Sequence, residues 1–170
     1  MDSIEAIMGR RSIRNYTAEP VTDAELDVLL RAAMAAPSAG NQQPWRFIVV
    51  RDADRRVELS TATPYAGMIA RAPLALVICG DTREEKHPGY WVQDCSAAIQ
   101  NLLVAAHATG LGAVWIGVYP VEERSENVRR ICDVEAGVVP MSMIALGHPA
   151  EEKPPAERFE PAYVHSERWE

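Results

Sequence analysis

The segment from Trp91 to Ala108 constrains the fold of this chain more than any other stretch. Apolar side chains recur along it at helical spacing and cover a surface broader than one neighbouring element can bury. These residues are Ala97, Ala98, Ile99, Leu102, Leu103, Val104, Ala105 and Ala106. We therefore expect a long helix that is buried on more than one side, at the centre of a domain or in a subunit interface. The sequence Gly110-Leu111-Gly112 follows it and predicts a left-handed carboxyl-terminal cap.

Length and charge narrow the class of protein. A chain of 170 residues is expected to form one domain, in which about 68–70% of the unfolded surface becomes buried. The net charge of −7 argues against a general nucleic-acid binder or a protein that binds anionic membranes. No apolar run approaches the roughly 20 residues that span a membrane. Acidic residues at Asp2 and Glu5 do not resemble a secretory signal, so we expect a cytoplasmic protein.

The cysteines and histidines give no local indication of a metal site. Cys79, Cys95 and Cys132 lie at long spacings without a C-x-x-C pair, and we expect three buried, reduced thiols. The four histidines are scattered, at positions 87, 107, 148 and 165. We therefore predict no metal ion and no histidine-based triad.

Hydrophobic periodicity and capping residues predict the remaining elements. Helices are expected at the amino terminus from Asp2 or Ser3, at Thr22–Ala35, from a cap at Asp54 to about Ala62, at 64–70 and at Glu122–Ile131. Strands are expected at Phe47–Val50, Leu74–Cys79, Ala113–Val118 and Met141–Leu146. Gly80–Gly89 reads as an exposed loop or lid, and 150–161 as an extended arm whose continuation, Ala162–His165, can form an edge strand with a suitable partner.

A polar loop, Ala36–Phe47, lies between the second helix and the first strand. Pro37, Gly40 and Pro44 exclude a regular helix there, while its hydroxyl and amide side chains can both donate and accept hydrogen bonds. Two adjacent glutamines, Gln42 and Gln43, exceed what loop formation requires. We interpret the loop as a recognition surface for a small molecule.

An arginine cluster follows the first helix. Arg10, Arg11 and Arg14 lie within five residues, with Ser12 between them, in a chain that is otherwise acidic. One interpretation is a solvated helix end whose cations complement the helix dipole. The other is a cradle for a phosphate or carboxylate, because guanidinium groups offer planar, bidentate donors. The residues alone favour neither.

Three segments taken together resemble the nitroreductase family of FMN-dependent oxidoreductases. They are R-R-S-I-R-N-Y near the start, A-P-S-A-G-N-Q-Q-P-W-R-F after the second helix, and D-C-S-A-A-I-Q-N-L-L-V-A-A-H-A-T-G-L-G-A-V-W-I-G in the middle. The resemblance covers essentially the whole chain and implies a three-layer α-β-α fold of the α+β class, with a small mixed or antiparallel sheet flanked by helices. It also implies an intertwined homodimer, in which residues 1–170 form one FMN-binding domain and 150–170 an extended arm.

The resemblance also implies a set of FMN-binding residues. Those expected at the phosphate and ribityl chain are Arg10, Arg11, Ser12 and Arg14, with Lys153 or Arg158 closing on the phosphate. Those expected along one side of the flavin ring, from the other subunit, are Pro37, Ser38, Ala39 and Asn41, with a further hydrogen bond from Gln43. Those expected on the ring's opposite side are Trp115, Ile116 and Gly117, whose backbone can approach the ring closely.

The activity implied by the resemblance is a ping-pong reaction, in which NAD(P)H as co-substrate reduces FMN and a small electron acceptor then reoxidises it. No protein side chain is expected to act as catalyst, because the cofactor carries out the chemistry. Nitroaromatics, quinones and flavins are acceptors of the expected kind. The alternatives are a non-catalytic, dimeric flavin-binding protein, or a relative that performs dehydrogenation, dehalogenation or flavin cleavage.

Overall fold

The structure is a computed structural model, and it describes residues 1–169. Its centre is a four-stranded antiparallel sheet with the strand order β1-β2-β4-β3. The strands are β1 (Trp45–Val50), β2 (Leu74–Asp81), β3 (Gly112–Gly117) and β4 (Val138–Gly147). Every residue of β2 is buried, as expected for an inner strand that carries apolar side chains on both faces. The two edge strands are therefore β1 and β3.

Helices cover both faces of this sheet. They are α1 (Ser3–Gly9), α2 (Asp23–Met34), α3 (Ala53–Ser60), α4 (Trp91–Ala108) and α5 (Glu122–Cys132). One core cluster joins α2 and α4 to one face of the sheet, and a second joins α3, α5 and a 3-10 turn at Gly67–Arg71 to the other. The predicted three-layer α+β fold is confirmed. Among the described residues, the one parallel contact is an isolated bridge between Ser12 and Ala113 on the outer side of β3.

The long apolar helix predicted from the sequence is α4. It packs against both α1 and α2 as well as the sheet, which explains why its apolar surface is so broad. The chain leaves the helix through Gly110, whose φ of +84° lies in the left-handed region. The N–H of Leu111 donates to the carbonyl of Ala106 at 2.8 Å and that of Gly110 to His107 at 3.1 Å, which is the hydrogen-bond pattern of a Schellman cap.

Several predicted boundaries were wrong. The residue that caps α3 is Asp52, whose carboxylate accepts from the N–H of Arg55 at 2.8 Å, and not Asp54. Strand β1 begins at Trp45, two residues before the predicted start. Strand β4 begins at Val138 and runs through Pro140, which is tolerated because the register with β2 shifts opposite this residue.

Apolar side chains remain exposed at both ends of the chain. On α1 only Ala6 is buried, while Ile4, Ile7 and Met8 are more than half exposed, at 67%, 52% and 64%. After residue 150 the chain runs without helix or strand to a 3-10 turn at Pro161–Tyr163. Exposed apolar side chains follow along this arm, at Phe159, Tyr163, Val164 and Trp169. The predicted strand at 162–165 does not form in a single chain, where it has no pairing partner.

Within residues 1–169, no helix is both long enough and apolar enough to cross a membrane.

Candidate functional site: a cationic groove at one sheet edge and a polar loop at the other

Arg10, the first arginine of the cluster, is partly buried, close to other cations and without an acceptor for one of its donors. Its Nε is buried and has no hydrogen-bond partner among the described residues. Burial, together with the nearby cations Arg158 and Arg11, holds the pKa of Arg10 below its ordinary value. A bound anion would supply the missing acceptor and offset the repulsion among these cations. These observations favour the anion-binding interpretation of the cluster.

The other members of the cluster are placed by the backbone around them. Arg11 donates to the carbonyl of Pro154 at 3.0 Å and to that of Met8 at 2.9 Å, so it fastens the carboxyl-terminal arm to the end of α1. Ser12 lies beside Ala113 of β3. Arg14 is exposed, and the hydrogen bond of its guanidinium within the described residues runs from Nη1 to the carbonyl of Ser12, at 3.4 Å. Arg11 is therefore engaged in structure, whereas the Arg14 guanidinium has most of its donors available.

Lys153 lies beside a carboxylate, whereas Arg158 has no carboxylate partner among the described residues. Glu151 accepts hydrogen bonds from the backbone N–H groups of Arg14, at 2.6 Å, and Asn15, at 3.3 Å. The Nζ of Lys153 lies 3.4 Å from the same carboxylate. Arg158 is exposed and forms no ion pair within the described part of the chain, although it is close enough to Arg10 to lower that residue's pKa. The uncompensated cation of the two is Arg158.

Strand β3 forms the wall of a cavity of about 610 Å³. Trp115, Ile116 and Gly117 line it, together with Arg14. A Cβ placed on Gly117 would meet no atom within 4 Å, so the strand end is open to a flat ligand. The structure therefore brings together Arg14 and all three predicted residues of β3.

Sequence patterns did not indicate three further residues of this cavity. Tyr65, Arg71 and Arg124 also line it. They come from segments that precede β2 and follow β3, so no local spacing connects them. Of these three residues, Arg124 could have been singled out from the sequence, because it lies in the first turn of a helix, where a cation opposes the helix dipole.

The polar loop has a strained backbone that its own side chains stabilise. Gly40, Asn41 and Gln43 adopt positive φ values of 56°, 54° and 53°. The Oγ of Ser38 accepts from the N–H of Gln43 at 3.0 Å, and the amide of Gln43 donates to the Oδ1 of Asn41 at 3.0 Å. The backbone N–H of Ala39 is likewise occupied, as a donor to a buried carboxylate of α4. Pro37, Ser38, Ala39, Asn41 and Gln43 therefore form one connected loop.

One glutamine of the loop has a structural role that the sequence interpretation missed. The Gln42 amide nitrogen donates to the carbonyl of Glu84 at 2.9 Å, and its oxygen accepts from the N–H of Lys86 at 2.8 Å. A single side chain thus satisfies two backbone groups of the exposed 82–90 segment. The inference that the loop does not require its glutamines was wrong for Gln42.

The predicted site residues do not form one site within a single chain. The polar loop leads into β1, whereas Ser12 and the cavity that contains Arg14 lie along β3. Because β2 and β4 lie between these strands, the two groups are about 14 Å apart across the sheet, at ~4.8 Å per strand. The geometry fits the prediction that the loop serves a flavin bound to the other subunit.

The described residues contain no cluster of metal-binding side chains. Burial raises the pKa of Cys79 and Cys95 to about 12 and that of Cys132 to about 11, so these thiols stay protonated at neutral pH and are poor nucleophiles.

Fold and site together define a class: a three-layer α+β protein with a cationic groove along one sheet edge, open to an elongated, flat and anionic ligand. The sequence profile of the nitroreductase family matches residues 7–64 and 58–148. A protein of Methanothermobacter thermautotrophicus, provisionally named NADH dehydrogenase/NAD(P)H nitroreductase, is 48% identical over 169 residues, covering 99% of this chain and 88% of the relative. The chain belongs to the nitroreductase family.

Solved structures show the same similarity. A provisionally named NADH dehydrogenase/NAD(P)H nitroreductase from Bacteroides thetaiotaomicron superposes with a TM-score of 0.94 at 37% identity, over 98% of both chains. A provisionally named nitroreductase from Desulfovibrio desulfuricans, crystallised in complex with FMN, gives a TM-score of 0.86 at 33% identity, over 99% of this chain and 98% of that one. The fold of this chain is therefore one that binds FMN in a relative.

Proposed function

We propose that this protein is an FMN-dependent oxidoreductase that uses NAD(P)H to reduce small electron acceptors. The proposal rests on the cavity along β3. Cationic side chains line it, and there is open space beside Gly117 at the end of the strand. A flavin mononucleotide has matching parts, a phosphate dianion and a flat ring. Family membership and the FMN complex of a relative support the same conclusion.

The chain's own residues would hold the cofactor at three points. Arg10 and Arg14, with Arg158, offer uncompensated guanidinium groups to the phosphate. The Ser12 hydroxyl adds a donor beside β3. Trp115, Ile116 and Gly117 support one side of the ring. Bound there, FMN would supply the hydride chemistry, and these residues would hold and orient it.

The second half of the site is proposed to come from another copy of this chain. The loop residues Pro37, Ser38, Ala39, Asn41 and Gln43 lie at the opposite edge of the sheet from the arginines, with β2 and β4 between them. The exposed apolar residues of α1 and of the carboxyl-terminal arm provide surface that a homodimer would bury. The free thiols of all three cysteines suit the reducing cytoplasm.

The proposal is tested by titrating the purified, FMN-loaded protein with NADH and with NADPH in the absence of oxygen. We expect the visible flavin absorption to bleach with one equivalent of the preferred nucleotide and to return when a nitroaromatic or quinone is added. A protein that binds FMN in a fixed ratio but is reduced by neither nucleotide would be a flavin-binding protein without turnover. Failure to bind FMN at all would overturn the proposal.

A further inference from the structure

Among residues 1–169, the cavity along β3 is lined by three guanidinium groups and by no carboxylate. Arg14, Arg71 and Arg124 contribute the cations, in a chain whose net charge is −7. The proposed phosphate site accounts for Arg14, which lies on the segment that pairs with the beginning of β3. Arg124 lies near the other end of the strand, beside Gly117. The four-residue step from Ala113 to Gly117 separates these positions by about 13 Å along β3.

Contacts within the chain hold Arg124 in place. Its guanidinium carbon lies 5.2 Å from the centre of the Tyr65 ring, within the range of a cation–π interaction. Its Nη1 donates to the carbonyl of Gly117 at 3.4 Å, a long bond that leaves the remaining donors unused. The side chain is partly buried and has no ion-pair partner among residues 1–169, although Glu122 and Glu123 precede it in the same turn.

Helix stability gives no reason for an arginine at this position. Arg124 occupies the first turn of α5, where the helix dipole favours Glu122 and Glu123 and disfavours a cation. Arg124 is thus partly desolvated, is opposed by the helix dipole and lines a cavity that has no carboxylate among the described residues. An anion on the ligand explains these three features best.

We propose that Arg124, steadied by Tyr65, lies against the pyrimidine edge of the flavin ring and stabilises the negative charge that the ring gains on reduction. This inference rests on the proposed function. In that reaction the hydride leaves C4 of the nicotinamide with its electron pair and bonds to N5 of the oxidised flavin. The nicotinamide becomes the cationic NAD(P)⁺, and the flavin gains one hydrogen and one negative charge, which is shared by N1 and the C2 carbonyl oxygen. A guanidinium beside that edge favours the reduced form.

The test measures the midpoint potential of bound FMN in the full-length protein and in Arg124→Gln and Arg124→Lys. Loss of one charged contact is expected to weaken the binding of reduced FMN about tenfold relative to oxidised FMN. For a two-electron couple this lowers the midpoint potential by about 30 mV in Arg124→Gln. Arg124→Lys keeps the charge and should fall between the two. Arg130→Gln removes the same charge from an exposed position on α5 and is expected to leave the potential unchanged.

A second measurement distinguishes the ring from the phosphate as the anion that Arg124 meets. If Arg124 faces the ring, Arg124→Gln changes the affinities for oxidised FMN and for riboflavin by the same factor. If it binds the phosphate instead, FMN affinity falls by far more than riboflavin affinity, and the proposal is overturned. An unchanged midpoint potential in Arg124→Gln also overturns it, even in a protein that binds FMN and is reduced by NAD(P)H. Failure of the wild-type protein to bind flavin would instead count against the proposed function.

Discussion

The backbone N–H of Ala39 donates a hydrogen bond of 3.0 Å to the carboxylate of Asp94, which is 93% buried in the first turn of α4. This contact joins the polar loop to the central helix across 55 residues of sequence. The loop is therefore positioned by the most deeply packed helix of the chain. A loop fixed in this way can present a preformed wall to a ligand, which lowers the entropy cost of binding.

Replacing Asp94 with Ala should reduce both stability and FMN retention. The N–H of Ala39 would lose a charged acceptor, and we expect the free energy of unfolding to fall by about 2 kcal/mol in urea denaturation. Asp54→Ala is the matched control, because Asp54 is an exposed acid in the first turn of α3. An equal fall in the free energy of unfolding in the two variants would mean that Asp94 acts only through the helix dipole.

Replacing Gln42 with Ala should loosen the 82–90 segment. Both side-chain hydrogen bonds, to the carbonyl of Glu84 and from the N–H of Lys86, would be lost, so about 1 kcal/mol of local stability is expected to disappear. Hydrogen exchange at the N–H of Lys86 and its neighbours measures the effect, with an expected acceleration of about fivefold. Gln43→Ala, which removes a contact within the polar loop, is expected to leave exchange in 82–90 unchanged. Equal exchange in Gln42→Ala and the wild type would show that the two hydrogen bonds of Gln42 are not formed in solution.

Asp81 should contribute stability that depends on pH. It is 92% buried, and two hydrogen bonds from the Arg83 guanidinium, at 2.7 and 2.8 Å, hold its pKa at about 2 in spite of burial, with Arg46 adding a further attraction. Because folding lowers this pKa, the contribution is fully present above the unfolded value of about 3.9 and is lost as pH falls through 2.

We therefore expect Asp81→Asn to lower the free energy of unfolding by about 1–2 kcal/mol at pH 7, a figure reduced for the solvent exposure of both arginines. The difference from the wild type should shrink between about pH 4 and pH 2. Urea denaturation of both proteins across this range measures it. A difference that stays constant down to pH 2 would contradict the assignment of the low pKa to Asp81.

Replacing Arg14 with Ala should weaken FMN binding by about 10- to 100-fold, because one charge-assisted contact to the phosphate is lost. Riboflavin, which lacks the phosphate, should bind both proteins alike. Fluorescence titration of the apoprotein with each flavin measures the affinities. Arg31→Ala removes an exposed arginine that pairs with Asp27 on α2, and it should leave both affinities unchanged. An equal loss for FMN and riboflavin would place Arg14 away from the phosphate.

The features predicted correctly from sequence are those with a local signal. Apolar periodicity specified α4, and the glycine at 110 specified the cap that ends it. The order of the arginine segment, the polar loop and β3 identified the family. The part of β4 that precedes Met141 was missed because proline is normally excluded from inner strands. The irregularity that accommodates Pro140 is visible only in the register between β2 and β4.

The features that sequence reasoning missed depend on contacts between distant segments. The bonds from Ala39 to Asp94 and from Gln42 to Glu84 span 55 and 42 residues. Neither residue type nor spacing predicts such pairs, because the tertiary fold creates them. The same holds for Arg124, whose relation to Tyr65 and Gly117 appears only once β3 and α5 are packed.

We propose that one FMN site requires the β3 edge of one chain and the polar loop of another. Subunit mixing tests it most directly, with Arg10→Ala/Arg14→Ala as one parent and Ala39→Trp as the other, each expected to lose FMN as a homodimer. Random assembly of equal amounts gives hybrids in which one of the two sites has both halves intact, so FMN should return to about a quarter of all sites. Mixtures that bind no more FMN than the parents would contradict the claim, because a site contained within one chain remains defective in every subunit.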